Sequence, residues 1–181
     1  VARREDATHL WRRCGEALAA IHNGAPPADA RAIVLPDHPN RGGEHVSLHG
    51  DFTLANCTYR ALTDELVILD WSAADWLGLK GDVGPAAIDV AIFLQSTLYR
   101  RPFEPRLRNS RGLVAAFMAG YVAGRGRVPP DLGPIGSTVL GLYARHSYKD
   151  IGPRALLRAP SFAYCQLVLW RLQLFGTPAA A

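Results

Sequence analysis

A mostly helical α+β fold is what this sequence predicts, and three observations predict it. Apolar residues recur at three- and four-residue steps over long stretches towards both ends, the period of one helix face. Between them stand two short runs with β-branched content, Val46-Ser47-Leu48 and Leu66-Val67-Ile68-Leu69. A polar Thr63-Asp64-Glu65 segment separates them, so they read as short strands around a loop, one small hairpin. With 181 residues, 49% of them hydrophobic, the chain can bury a real core as one domain or two small ones.

In chain order, residues 5–22 predict an amphipathic helix: Leu10, Trp11, Cys14, Leu18 and Ile21 share a face, with Arg12, Arg13 and Glu16 between them. Asp6 or Thr8 is the expected cap at its start, and Asn23-Gly24 ends it. His22 falls in its last turn, where a partial positive charge suits the helix dipole. Residues 24–44, rich in Pro, Ala, Gly and Asp, read as a long irregular connection, a length that points to a functional or mobile loop.

Residues 72–87 predict a second loop, and Ile88 to Tyr99 a buried helix that carries an acid, Asp89, near its start. Arg101-Pro102 breaks that helix. Leu107 to Ala123 is the next, ended by Gly124-Arg125-Gly126 and Pro129-Pro130. Gly133 to Tyr148 keeps helical spacing although several glycines weaken it. Ala155 to Arg158 gives a short turn, and Ser161 to Phe175 a strongly apolar last helix in which Tyr164 and Trp170 are expected in the core.

The chemistry concentrates between His45 and Trp71. Each expected strand delivers an aspartate at or just past its end, Asp51 and Asp70, and Asn56 follows Asp51 in the first loop. A carboxylate and an amide oxygen are hard ligands suited to Mg²⁺, which takes few protein ligands and completes its shell with phosphates and water. With Asn56 and Asp70 on the metal, Asp51 is free to accept a proton from a substrate hydroxyl. That division of labour is the scheme of phosphoryl transfer, where positioning and charge neutralisation do most of the work. Two other chemistries meet less of the pattern. A zinc site on His45 and His49 lacks a second ligand cluster, and a glycosidase pair of Asp51 and Asp70 leaves Asn56 and Asp89 unexplained.

The run His49-Gly50-Asp51-x4-Asn56, then Ile68-Leu69-Asp70-Trp71, then Gly84-Pro85-x3-Asp89-Val90-Ala91, resembles the aminoglycoside phosphotransferase family of the protein-kinase-like superfamily. Leu18-Ala-Ala-Ile-His22 also fits the helix before the catalytic loop there. The resemblance spans roughly residues 5 to 100; the later helices match only in kind. It implies a protein-kinase-like C-terminal lobe over residues 1–181, with a catalytic core at 5–100, a helical substrate-side region at 101–176, and a small β-hairpin carrying the catalytic loop. It implies Asp51 as catalytic base, Asn56 and Asp70 as Mg²⁺ ligands, and His49 as a structural support. Asp89 becomes the buried acid that accepts hydrogen bonds from catalytic-loop amides. Mg²⁺ and ATP, or another nucleoside triphosphate, are the implied cofactors, and a small hydroxylated molecule (aminoglycoside-, sugar- or amino-alcohol-like) the implied acceptor. Trp71 stands where protein kinases carry Phe-Gly, which favours the small-molecule branch.

The sequence also departs from that family. It holds no glycine-rich nucleotide loop and no strand lysine to pair the phosphates; Lys80 and Lys149 lie elsewhere. The ATP-clamping N-terminal lobe is therefore expected in cis outside these residues, or from a partner chain, and the 181 residues alone are expected to turn over little or nothing. Val rather than Met at position 1, inside a helical pattern, and the Gly-Thr-Pro-Ala-Ala-Ala ending fit a piece of a larger protein. A non-catalytic kinase-like binding or scaffold domain is the competing class. A protein acceptor is a third, set back by the lack of an Ala-Pro-Glu element after Asp70.

On the substrate side, Asp75, Trp76 and Asp82 follow the second strand. Tyr143, His146 and Asp150 lie where the family keeps its pocket; solvent or core packing is the plain alternative for all six. No apolar run reaches a membrane span and the first residues carry no signal-peptide core, so no membrane partner and a cytoplasmic setting are expected. All but two of the 20 basic residues are arginine, scattered without an aromatic-interleaved stripe, so nucleic acid is not indicated. Three widely spaced cysteines, Cys14, Cys57 and Cys165, argue against a disulfide framework or a structural zinc site.

Overall fold

The computed structural model describes residues 4–35, 44–71, 74–98, 110–153, 156 and 159–176. The fold is α+β and mostly helical, with five helices and two small antiparallel sheets among the described residues. Helix α1 (Arg4–Asn23) is already running at Arg4, so Asp6 and Thr8 sit within it and neither caps its start. Its apolar stripe buries Trp11, Cys14 and Leu18 against α3 (Ser110–Arg125). The two helices cross at contact distance through glycine. A Cβ on Gly15 would fall onto the Phe117 carbonyl, and one on Gly120 onto the Arg12 carbonyl, so side chains are excluded where the backbones meet.

The two apolar runs expected to pair do not pair with each other. Strand β1 (His45–Ser47) takes β4 (Val83–Pro85), with Val46 opposite Gly84. The hairpin is built from β2 (Cys57–Arg60) and β3 (Glu65–Ile68), with Cys57 opposite Ile68 and its turn eased by Asp64 in the left-handed region (φ 51°). The loop with Asp51 and Asn56 therefore bridges two sheets instead of sitting inside one hairpin. Cys57-Thr58-Tyr59 belongs to a strand in which Cys57 and Tyr59 alternate inward while Thr58 and Arg60 face solvent.

Residues 24–35 are irregular but anchored. Ile33 donates its N–H to the Val83 carbonyl (2.8 Å), and Ile33 and Leu35 are buried. The loop expected over 72–87 contains a 3₁₀ turn (Ala74–Leu77) and β4. Helix α2 (Ala87–Leu98) is buried on nearly every side, which explains its unbroken apolar composition. Phe93 is the hub of the core. It stacks on Phe117 at 4.2 Å and meets Trp11 and Phe52 at 5.2 and 5.4 Å, which ties the loop after β1 to α1, α2 and α3.

Helix α4 (Leu132–Ile151) packs on α2 and on α5 (Ala159–Phe175). The glycines thought to weaken α4 serve this contact: Gly133 lies under the Trp170 ring and Gly136 under Leu169. Tyr164 packs against the core as expected, whereas Trp170 is not a core residue. Trp170 is 39% exposed, Tyr164 is half-buried, and Leu167, Leu174 and Phe175 also face outward. The expected break at Arg101-Pro102 lies outside the described residues, as does the expected turn at Ala155–Arg158 apart from Leu156. Among the described residues no helix is long and apolar enough to cross a membrane.

Candidate functional site

The loop after β1 is held from beneath by a buried carboxylate. Asp89, fully buried in the first turn of α2, accepts the His49 N–H on Oδ2 (2.8 Å) and the Gly50 N–H on Oδ1 (2.9 Å). A third donor, His22 Nε2, reaches Oδ2 at 3.1 Å. A carboxylate only accepts, so the His22 proton sits on Nε2; in the neutral ring Nδ1 then accepts the Tyr121 hydroxyl at 2.9 Å. Three donors satisfy a charge that would otherwise be costly to bury. His22 does lie in the last turn of α1 as expected, but it is buried under the loop and bonded to Asp89.

His49 joins the two halves of the site. Its Nε2 donates to the Leu69 carbonyl (3.1 Å), the residue before Asp70, and its Nδ1 accepts the Asp51 N–H (3.3 Å). The ring lies between Phe52 (5.5 Å) and Trp71 (4.8 Å). The reversal before Asp51 is made at Gly50, whose φ of 83° a side chain would oppose. These contacts leave the Asp51 carboxylate half-exposed at the loop's outer edge.

Asn56 sits at the end of a short 3₁₀ turn (Leu54–Asn56). Its Nδ2 donates both to the Asp51 carbonyl and to Asp51 Oδ2, each at 2.9 Å. That fixes the amide orientation and leaves Oδ1 as a free-facing oxygen donor. Its backbone carbonyl accepts the Leu69 N–H at 2.9 Å, so the strand leading to Asp70 is spliced to the loop a second time. Asp70 is exposed and in the left-handed region (φ 58°), a conformation aspartate tolerates better than most residues. Burial is the main cause that lifts the Asp51 carboxyl above its ordinary value, opposed by the Asn56 hydrogen bond and reinforced by the negative charge of Asp70.

Across from Asp51 a cleft of ≈ 450 Å³ opens between this loop and α4. Asp51, Thr53 and Asn56 line one side, and Trp76, Tyr143 and His146 the other. Trp76 donates its indole N–H to the Gly50 carbonyl (3.3 Å) and meets Tyr143 and His146 edge-on at 5.1 and 5.6 Å. His146 pairs with Asp150 at 3.1 Å, one turn along.

The candidate residues therefore divide. Asp51, Asn56, Trp76, Tyr143 and His146 share one cleft, with His49 and Asp89 behind it and Asp70 close enough for its charge to act on Asp51. Asp75 and Asp82 do not belong. Asp75 is exposed in its 3₁₀ turn, and Asp82 Oδ2 accepts the Arg31 N–H (3.2 Å), pinning the 24–35 segment instead of facing the cleft. Thr53 and Ser147 were missed as cleft residues, and Tyr121 as a support. For Tyr121 no local signal exists, because its partner lies 99 positions away. The i,i+4 spacing of His146 and Asp150 was visible as a pairing signal.

A hard-oxygen pair, Asn56 Oδ1 and the Asp70 carboxylate, is the donor set that could hold a divalent cation with water or phosphate completing the shell. Among the described residues no group of three or more His, Cys, Asp and Glu side chains is placed to hold a metal. Compared with protein-family models, curated proteins and solved structures, the chain gives no match in any of the three.

Proposed function

We propose that this chain is the C-terminal catalytic lobe of a protein-kinase-like phosphotransferase, of the aminoglycoside phosphotransferase kind, which moves a phosphoryl group from ATP to a hydroxyl of a small molecule. One observation carries the proposal. A half-exposed carboxylate, Asp51, is held by Asn56 at the mouth of a cleft, on a loop whose two amides are clamped by a fully buried Asp89. Such effort spent on holding one carboxylate in position is what a general base needs.

Asp51 would accept the proton of the acceptor hydroxyl as that oxygen attacks phosphorus. Its raised proton affinity suits a base more than that of a fully solvated aspartate would. Asn56 and Asp70 would hold Mg²⁺, which when bound neutralises charge on the transferring phosphates. The acceptor would lie in the cleft against Trp76, Tyr143 and His146, walls wide enough for a sugar- or amino-alcohol-sized molecule. Asp89 and His49 hold the loop and touch no reacting atom. The phosphate-pairing lysine and glycine-rich loop are not among these 181 residues, so ATP would be clamped by a second lobe, in cis or from a partner chain. A cytoplasmic setting suits an ATP-consuming enzyme of this kind.

The test is Mg²⁺-dependent ATP binding and phosphotransfer by the chain joined to its ATP-clamping lobe. Thermal shift should require both ATP and Mg²⁺, and Asp51→Ala should abolish transfer while the shift survives. Retained turnover in Asp51→Ala would sink the assignment of the base. No shift at all would favour the non-catalytic binding or scaffold domain.

A further inference from the structure

The peptide group between Gly50 and Asp51 is held at both edges by side chains. Its carbonyl accepts the indole N–H of Trp76 at 3.3 Å, and its N–H donates to His49 Nδ1 at 3.3 Å. A trans peptide points these two groups in opposite directions, so the plane is gripped from two sides. The grip falls where the backbone is softest, because Gly50 has no Cβ to resist rotation and already stands at φ 83°. A turn about the Gly50 Cα–C bond would swing the carbonyl off the indole and carry the Asp51 carboxylate with it. Asp89 does not oppose that turn, since it holds the Gly50 N–H on the other side of the rotating bond. Asn56 steadies Asp51 further along, through its carbonyl and Oδ2. Trp76 and His49 fix the direction from which the chain arrives.

Trp76 is itself well placed for this. It is half-buried in the 3₁₀ turn (Ala74–Leu77) and meets Tyr143 and His146 of α4 edge-on at 5.1 and 5.6 Å. His146 is in turn paired with Asp150 at 3.1 Å. The same ring therefore belongs to the α4 wall of the cleft and reaches the loop that carries Asp51. An acceptor seated against that wall bears on the ring that holds the base.

We infer that Trp76 is a positioning residue. Its indole N–H locks the Gly50–Asp51 peptide and so aims the Asp51 carboxylate at an acceptor hydroxyl, while its ring is the wall on which the acceptor rests. That Asp51 is a base rests on the phosphotransfer proposal; the lock on its peptide does not. The two duties fall on different atoms and can be separated. Trp76→Phe keeps an aromatic wall and removes the donor. Trp76→His removes the outer benzene ring and keeps a donor, since imidazole Nε2 stands the same number of bonds from Cβ as indole Nε1.

Amide exchange reads the lock without any activity. In the folded chain, exchange at the Asp51 amide should speed about tenfold in Trp76→Phe and stay near the parent's in Trp76→His. The His49 and Gly50 amides, which rest on Asp89, should stay protected in both. The catalytic consequence is read in the chain joined to its ATP-clamping lobe, with kanamycin, glucose and choline offered in turn as acceptor. On an acceptor that the parent phosphorylates, Trp76→Phe should lower kcat about tenfold and leave the acceptor KM within about threefold. Trp76→His should keep kcat and raise KM, a split that a merely structural role would not produce. The inference is overturned if the Asp51 amide exchanges no faster in Trp76→Phe, if Trp76→His frees it as much, if the freed amide leaves kcat unchanged, or if both variants unfold. A parent without Mg²⁺-dependent ATP binding removes the phosphotransfer reading and leaves amide exchange to decide the lock.

Discussion

His22, in the last turn of α1, bonds Asp89, in the first turn of α2, through Nε2 and Oδ2 at 3.1 Å, both side chains wholly out of water. Through that bond the ends of two helices and the loop bearing Asp51 share one anchor. Asp89→Ala should strand three buried donors: the His49 and Gly50 amides and His22 Nε2. The expected loss is about 3–5 kcal/mol, read as a lower urea midpoint. Asp89→Asn keeps one accepting oxygen but turns an NH₂ towards a donor, and should lose less. An Asp89→Ala variant as stable as the parent would show that the loop does not rest on this carboxylate.

The α1–α3 crossing yields a prediction of opposite sign at two glycines. Gly15→Ala drives a methyl into the Phe117 carbonyl, backbone that cannot rotate away, and should destabilise by about 3 kcal/mol. Gly141, mid-way along α4 and exposed, has no atom within 4 Å of an added Cβ. Gly141→Ala should therefore stabilise by about 1 kcal/mol through helix propensity alone. Chemical denaturation of the two variants reads both signs.

Tyr121 sets an alkaline limb. Burial is the main cause that pushes its hydroxyl up to about 12, against an ordinary value of 10.0. A raised folded value means that its contribution is whole below pH 10 and is lost as pH rises towards 12, where the unfolded chain releases the proton first. Stability should fall over that window by at most about 2–3 kcal/mol. Tyr121→Phe should flatten this limb while costing stability at pH 7, because His22 Nδ1 loses its partner. An unchanged alkaline slope in Tyr121→Phe would refute the attribution.

Asp51→Asn should separate function from stability. Burial raises this carboxyl above its ordinary 3.8, so in the folded chain the charged form is disfavoured at pH 7. The penalty grows as pH climbs from that ordinary value through the raised folded one. Asparagine removes the charge and its repulsion by Asp70, and its oxygen still accepts from Asn56 Nδ2. For a half-exposed group the gain is small, about 0.5 kcal/mol after solvent screening. Under the proposed chemistry the same variant, in the complete enzyme, should lose phosphotransfer. A lower Tm would show that the carboxylate stabilises the loop.

The helices were legible because their signal is local. Leu10, Trp11, Cys14, Leu18 and Ile21 declare α1 within a few turns, and the unbroken apolar run of α2 declares burial on all sides. Strand pairing was not. Val46 and Ile68 carry nothing that names a partner, and Gly84, which takes Val46, looks like loop sequence. Exposure was misread on α5 for a related reason: Trp170 and Leu167 are apolar enough for a core, but α4 covers only one face of Trp170 and Leu167 stays exposed.

For the site, the sequence placed Asp51 and Asn56 on one loop, and the 3₁₀ turn between them closes their side-chain contact. The oxygen chemistry of Asp70 and the isolated acid on α2 were likewise visible as residue types. Which groups stand behind them was decided by packing across long separations: His22 and Tyr121 under Asp89, and Trp76 against Gly50 and Tyr143. Asp82 went the other way, because a backbone amide at Arg31 claimed its carboxylate. Periodicity and local spacing act over a few residues, so the sequence by itself determined the helices and the chemistry of the central loop. Burial and hydrogen-bond satisfaction act on whatever the fold brings near, so only the tertiary structure decided which polar groups face the cleft and which hold it up.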